Sequence, residues 1–270
     1  MAAKHDMPFA ALRVLVTRPQ DRADDLIAAI ADRGGSAVHI PLLTVMPLDE
    51  QRDAAIWQQT RQRILDLDRY RRVIAISVNA VHYGLAWIDN YWPQLPQGIA
   101  WHGIGAATIA ALAQRDIIAQ SHADGTAAMS SEALLTLPAL QRPGGERVLI
   151  LRGIGGRETL AAALRERGAQ VDYAECYRRV EPVINDEQLM QLQRMAFDVI
   201  CVNSNETLQN LWRYLQPAAQ VLAQNRALIV PSERVSETAR ELGFARIIVA
   251  INAGTAATID ALMKVEKSKL

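Results

Sequence analysis

RVLVTRPQDRADDLIAAIADRGG, residues 13–35, decides the fold. RVLVT at 13–17 is a Val-rich apolar run of strand length without polar alternation, the pattern of a strand buried on both faces. Beyond Pro19, Asp24 to Arg33 puts Leu26, Ile27 and Ile30 on one helical face, and Gly34-Gly35 supplies the C-cap. A buried strand handing over to an amphipathic helix is the building unit of a parallel sheet with helices on its faces. The unit returns as RVLILRGIGGRETLAAALRERGA at 147–169, with Arg18/Arg152, Leu26/Leu160 and Gly34/Gly168 among the coinciding identities. VIAISVNAV (73–81) resembles ICVNSNETL (200–208), and WHGIGAATIAALAQRD (101–116) resembles LIVPSERVSETARELG (228–243).

Working outward, further strand-like runs fall at Val38–Ile40, Val73–Ile76, Ile99–Gly103, Val148–Leu151, Val199–Val202, Ala227–Val230 and Ile247–Val249, most of them followed by a helical pattern. The expected fold is α/β, with two similar parallel-sheet domains arising from one duplicated unit. HIPLLTVMPL (39–48) and AECYRRVEP (174–182) are extended-looking and flanked by prolines, and each follows the second strand of its repeat. If both cross between domains, the first domain is discontinuous, at 1–43 and 180–270. The second is then inserted at 46–176, with linker strands at 42–47 and 175–182.

The chain has 270 residues, half of them hydrophobic, and its 29 Lys and Arg balance its 29 Asp and Glu. A neutral chain lacks the basic excess of a nucleic-acid binder, so an anionic ligand must be met by a local cluster of donors. Cys176 and Cys201 are the only cysteines, and no His/Cys spacing suits a metal. Neither a metal site nor a disulfide framework is expected. MAAKHDMPFAAL at the start lacks a leader's apolar core, and no run approaches the ~18 apolar residues of a membrane span, so no membrane association is expected. The expectation is a cytoplasmic monomer, with KVEKSKL at 264–270 as a frayed tail.

VTRP (16–19), PLL (41–43), SVNAV (77–81), GIGAAT (103–108), LRGIGGRE (151–158), ECYRR (175–179) and PSERVSETARELGF (231–244) occur in an order that resembles the uroporphyrinogen-III synthase family. The resemblance runs from about Arg13 to Met263, and it is the joint order of short motifs that carries it. It implies two flavodoxin-like α/β domains joined by two extended linkers. It also implies conversion of hydroxymethylbilane into uroporphyrinogen III, with inversion of the last pyrrole ring and without metal or organic cofactor. The partners implied are the linear tetrapyrrole and, transiently, hydroxymethylbilane synthase.

Tyr177, in ECYRR, matches the family tyrosine implied to help the substrate hydroxyl leave; the plainer reading is a linker tyrosine packing its ring. Ser77 and Asn79 follow the strand VIAI, where ligands of open α/β sheets bind and where N-caps also sit. Ser204 holds the repeat-related place, and Thr108 opens a helix after GIG. Arg18 and Arg152 end the first strand of each repeat and suit bidentate capture of carboxylates, or an internal ion pair. Arg234 is a further candidate, although family members carry Thr there. Arg178 and Arg179 read as linker surface.

Gly153 and Gly155, in GIGG, follow a strand as a dinucleotide loop does, but a GxGxxG needs glycine where Glu158 stands. Trp57, Trp87, Trp92, Trp101 and Trp212 read as packing residues, and His5, His39, His82, His102 and His122 have no ligand spacing. The rival to the enzyme is a two-domain small-ligand binding or sensor protein on the same framework.

Overall fold

The computed structural model describes residues 7–120 and 131–265; His5, His122 and the tail beyond Val265 lie outside the described residues. The chain divides into two compact units, one formed by Met1–Thr44 with Val180–Leu270 and the other by Val45–Arg179.

The first unit opens with β1 (Arg13–Val16), α1 (Asp24–Ala31) and β2 (Ser36–His39). Gly34, at φ 83°, turns the chain from α1 into β2, as the Gly-Gly pair suggests. The chain then passes through β3 (Thr44–Pro47), α2 (Ala54–Leu65), β4 (Arg72–Ala75), α3 (Val78–Asp89) and β5 (Ala100–Gly103). Next come α4 (Ala106–Ala113), β6 (Ala119–Gln120), α5 (Ser131–Leu134), α6 (Pro138–Gln141), β7 (Arg147–Gly153), α7 (Thr159–Glu166) and β8 (Gln170–Val180). It returns as α8 (Asp186–Arg194), β9 (Val199–Cys201), α9 (Asn205–Tyr214), α10 (Pro217–Gln224), β10 (Ala227–Val230), α11 (Glu233–Glu241), β11 (Arg246–Val249) and α12 (Thr255–Met263).

The first sheet has the order β2-β1-β9-β10-β11, with parallel pairing throughout. Counted along that unit's own strands this is 2-1-3-4-5, the flavodoxin-like order, whose switch point lies between β1 and β9. Alternate residues fill two cores. Leu15, Ile200, Leu228 and Val230 pack on α8–α11, while Val14, Val16, Val199, Cys201 and Ile229 pack on α1 and α12.

The second sheet has the order β3-β8-β7-β4-β5-β6, and β8-β7-β4-β5-β6 are paired in parallel. With β7 in the place of β1, this part reads in the same order, and its switch point falls between β7 and β4. Val73, Ala75, Leu149 and Leu151 face a core with α2, α3 and α4, and Ile74, Val148 and Ile150 face one with α5, α6 and α7. Strands apolar on both faces are what a helix-covered parallel sheet requires.

The segments read as linker strands are hydrogen-bonded into the six-stranded sheet, where β8 runs to Val180 with β3 beside it. One expectation needs correction: Arg178 is not linker surface, since its Nη1 donates to Asp53 at 3.0 Å. Sequence reading also passed over β6, only two residues long. The five tryptophans pack as expected: Trp57 meets Trp87 edge-on at 5.1 Å, Trp92 donates to Ile64 O at 2.6 Å, Trp101 is buried and Trp212 packs on Phe244.

Candidate active site

Open parallel sheets leave a crevice at the carboxyl ends of their strands where successive connections diverge to opposite faces. In the second unit that point is flanked by the end of β7, at Gly153, and the residue after Ile76, which is Ser77.

Tyr177 reaches the same point by way of a bulge. Along β7 and β8, Arg152 stands opposite Glu175, but Gly153 stands opposite Tyr177, so Cys176 is an extra residue on β8. A bulge breaks the period-two alternation and re-aims the side chains beyond it. Tyr177 therefore joins Ala174 and Cys176 on the buried face toward α3, instead of pointing away from Cys176. Its ring lies directly on Gly153: a Cβ built there would sit 2.5 Å from Tyr177 Cε2. The ring of Tyr83 on α3 packs against it too, with ring centroids 5.4 Å apart. Only 3% of Tyr177 is exposed, and its hydroxyl oxygen lies 3.2 Å from Ser77 Oγ.

Ser77 is the N-cap of α3, in extended conformation, and its Oγ accepts the backbone N–H of Ala80 at 3.1 Å. Capping and contact with Tyr177 are thus combined in one hydroxyl. Asn79 is half-buried in the first turn of the same helix. Thr108 lies in the first turn of α4, buried at 3% exposure, and its methyl faces Gly103.

The GIGG loop is tied up by its own surroundings. Gly155, at φ 69°, donates its N–H to Glu175 Oε1 at 3.0 Å, and its carbonyl accepts from Arg152 Nη2. Arg152 is 2% exposed, donates to Glu158 at 3.0 Å and to Gly153 O at 3.3 Å, and lies 4.3 Å over the Tyr173 ring. Glu158, the N-cap of α7, also accepts from Tyr173 at 2.6 Å. Its pKa lies below the ordinary carboxylate value through the bonds from Tyr173 and Arg152, and that of Tyr173 is raised by burial and by Glu158. The Glu175 carboxylate thus holds the Gly155 amide that a phosphate would use, which argues against the dinucleotide reading. The guanidinium of Arg152 is directed inward and not presented for capture.

In the first unit, Arg18 and Ser204 flank the switch point between β1 and β9. Arg18 is 7% exposed and donates to Thr255 Oγ1, Ala253 O and Thr258 Oγ1, all at 2.9 Å. Burial lowers its pKa, and its fork closes the β11–α12 loop over β1. Ser204 caps α9 through Thr207 N at 3.1 Å and meets Thr207 Oγ1 at 2.8 Å. Arg234 is exposed in the first turn of α11. Both cysteines are buried free thiols; burial pushes Cys201 up to about 12 and Cys176 higher still, which leaves them inert.

Sequence reasoning missed Tyr83, Glu158, Tyr173 and the Glu175–Gly155 bond. Helical spacing from Ser77 places Tyr83 about one and two-thirds turns on, but nothing in the sequence sets it over Tyr177. It also passed over His102, fully buried on β5 with neither ring nitrogen hydrogen-bonded among the described residues. Among those residues no group of His, Cys, Asp and Glu is placed to hold a metal.

The family described as uroporphyrinogen-III synthase HemD matches residues 24–261. The uroporphyrinogen-III synthase of Escherichia coli (strain K12) is 34% identical over 256 residues, spanning 93% of this chain and 100% of that protein. Its Salmonella typhimurium counterpart is 35% identical over 266 residues, with the same coverage. Among solved structures, a mutant uroporphyrinogen III synthase from the extremely thermophilic bacterium Thermus thermophilus superposes with a TM-score of 0.59 at 16% identity, covering 94% of this chain and 100% of that one. The uroporphyrinogen-III synthetase from Helicobacter pylori 26695 gives a TM-score of 0.59 at 11% identity, covering 95% and 100%. Those two likenesses concern the fold.

Proposed function

The chain belongs to the uroporphyrinogen-III synthase family, and from that premise we propose its chemistry: closure of hydroxymethylbilane to uroporphyrinogen III with inversion of ring D and loss of water, a hydro-lyase reaction. The observation that carries the site assignment is the meeting of Tyr177, Ser77 and Gly153 at the switch point of the second unit.

The reaction needs a poor leaving group to depart. The pyrrole nitrogen lone pair expels the hydroxyl, the C–O bond breaks, and a proton given to that oxygen makes it water. A phenol hydroxyl can donate such a proton to the departing oxygen. We assign that role to Tyr177. The azafulvenium so formed is attacked by the substituted carbon of ring D, giving a spiro intermediate that fragments and recloses. The last ring carbon then loses a proton, which restores the phenol, so one water leaves per turnover. Left in water the same precursor closes without inversion, so holding it bent is the larger part of the task.

The substrate carries eight carboxylates and the chain has no net charge. Backbone N–H groups at helix starts receive carboxylates without adding charge. We therefore assign substrate contacts to the first turns of α3 and α4, with Asn79 and Thr108, and to Ser204 and Arg234 in the first unit. Arg18, Arg152, Gly153 and Gly155 we assign to shaping the loops instead of touching substrate, because their donors and surfaces are already engaged. No helix among the described residues is long and apolar enough to cross a membrane. We place the protein in the cytoplasm as a monomer that takes its labile substrate from hydroxymethylbilane synthase in transient contact.

The test is a coupled assay with porphobilinogen and hydroxymethylbilane synthase, in which the oxidised porphyrins are separated into isomers I and III. Predominant isomer III is expected from the wild-type chain, with a loss of about tenfold or more in kcat for Tyr177→Phe. Isomer I alone from folded protein would reject the synthase in favour of a binding module.

A further inference from the structure

We propose that Ser77 is a positioning residue for the reaction: its hydroxyl donates to the oxygen of Tyr177, which turns the phenolic proton toward the substrate and steadies the phenolate left behind. This rests on the assignment of Tyr177 as the proton donor.

Either hydroxyl can donate across this contact, and the proton the reaction needs decides which. Ser77 Oγ already accepts the N–H of Ala80, and its other contact is the Tyr177 hydroxyl at 3.2 Å. Two hydroxyl protons share this one contact, so one of them must point elsewhere. If Tyr177 donates to Ser77, the acidic proton is spent on the protein. If Ser77 donates, the phenolic proton is left for the departing hydroxyl. When it is transferred, the oxygen becomes negative, and only the second arrangement places a donor on it. Interactions stronger in the transition state than in the ground state are the ones that raise kcat. The positive end of the α3 dipole, which Ser77 caps, acts in the same direction.

The frame permits little else. The Tyr177 ring lies against Gly153 and 5.4 Å from the Tyr83 ring, and these contacts limit where its oxygen can go. The proton moves from Tyr177 Oη to the leaving oxygen as the C–O bond breaks. It is replaced by the proton that the rearranged ring loses at the end, and Ser77 keeps its own throughout.

Three substitutions separate this role from helix capping. Ser77→Asp caps α3 as well as serine does, but its carboxylate only accepts, so it captures the phenolic proton and repels the phenolate. Ser77→Gly retains most of the cap and removes the donor. Ser77→Thr retains both. In the coupled assay, Ser77→Asp is expected to keep the melting temperature and KM while kcat falls about as far as in Tyr177→Phe. Ser77→Gly should fall part of the way and Ser77→Thr should rescue. In a Tyr177→Phe background the Asp substitution should cost less than twofold more, because there is no proton left to orient. If Tyr177→Phe falls but Ser77→Asp and Ser77→Gly keep wild-type kcat, the positioning role is wrong and the proton donor stands. A Tyr177→Phe enzyme with full kcat would overturn the assignment of the donor itself, and this inference with it. Losses in the Asp variant that track a lowered melting temperature, or that add fully to Tyr177→Phe, would reduce Ser77 to a cap.

Discussion

A tyrosine joins a large apolar ring to one polar atom, so burying it calls for a packing surface and a hydrogen-bond partner together. Tyr177 finds the first on Gly153 and Tyr83 and the second on Ser77. Each of these residue types was readable on its own: a serine after a strand, a glycine ending another, a tyrosine in ECYRR. Their meeting was not, because Ser77 and Tyr177 are 100 residues apart. His102 shows the opposite case, a residue with no motif whose environment makes it conspicuous. Burial, with Arg72 adding to it and Glu146 opposing, lowers its pKa to about 4 from an ordinary 6.5. Between those values the unfolded chain binds a proton that the folded chain does not, so stability falls as pH drops through 6.5 and the loss is complete near 4. Urea unfolding at pH 7.5 and at pH 5 should differ by about 2 kcal/mol from this group alone. The difference should shrink by that amount in His102→Phe; an unchanged slope in the variant would show that the imidazole does not titrate there.

At the scale of elements, the passage from β7 to the site depends on one extra residue in β8. Period-two reading of YAECYRR puts Cys176 and Tyr177 on opposite faces, yet both are buried in the same core. The bulge that brings this about is a matter of pairing with β7, where Gly153 faces Tyr177. Gly153→Ala tests it. The new Cβ would meet the ring at 2.5 Å, and Tyr177, at 3% exposure, is packed closely enough that its ring cannot simply swing away. The expected result is a loss of about 1–3 kcal/mol in stability from overpacking, with kcat falling by more than that change in folded fraction explains. Wild-type activity at reduced stability would show that the ring's position is unimportant. The arginines that end β1 and β7 carry a related lesson. Their place at a carboxyl edge was plain from the repeat, but their donors turn inward to Thr255, Thr258, Glu158 and loop carbonyls. A buried guanidinium must satisfy its N–H groups, and each loop here supplies acceptors for them.

For the whole molecule, the question is which small molecule the fold retains. A ligand that binds only the folded state stabilises it by about 2.7 kcal/mol at a hundred times its Kd, which raises the melting temperature of a chain of this size by roughly 5–10 °C. Uroporphyrinogen III should do so, while NAD and ATP should leave the melting curve unmoved because Glu175 already takes the Gly155 amide of the glycine loop. A shift with either nucleotide would reopen the dinucleotide reading. The sequence by itself determined the class of fold and the family: buried strands announced by β-branched runs, helices by their apolar stripes, carboxyl-edge residues by their place after each strand. These are local properties, since strand burial and helix amphipathicity repeat within a few residues of one another. Only the tertiary structure decided that β8 continues as a sheet strand, that its bulge turns Tyr177 toward Ser77, and that Arg18 and Arg152 hold loops. Those outcomes depend on pairing between segments remote in sequence, where register and the supply of hydrogen-bond partners are settled by packing and by no local period.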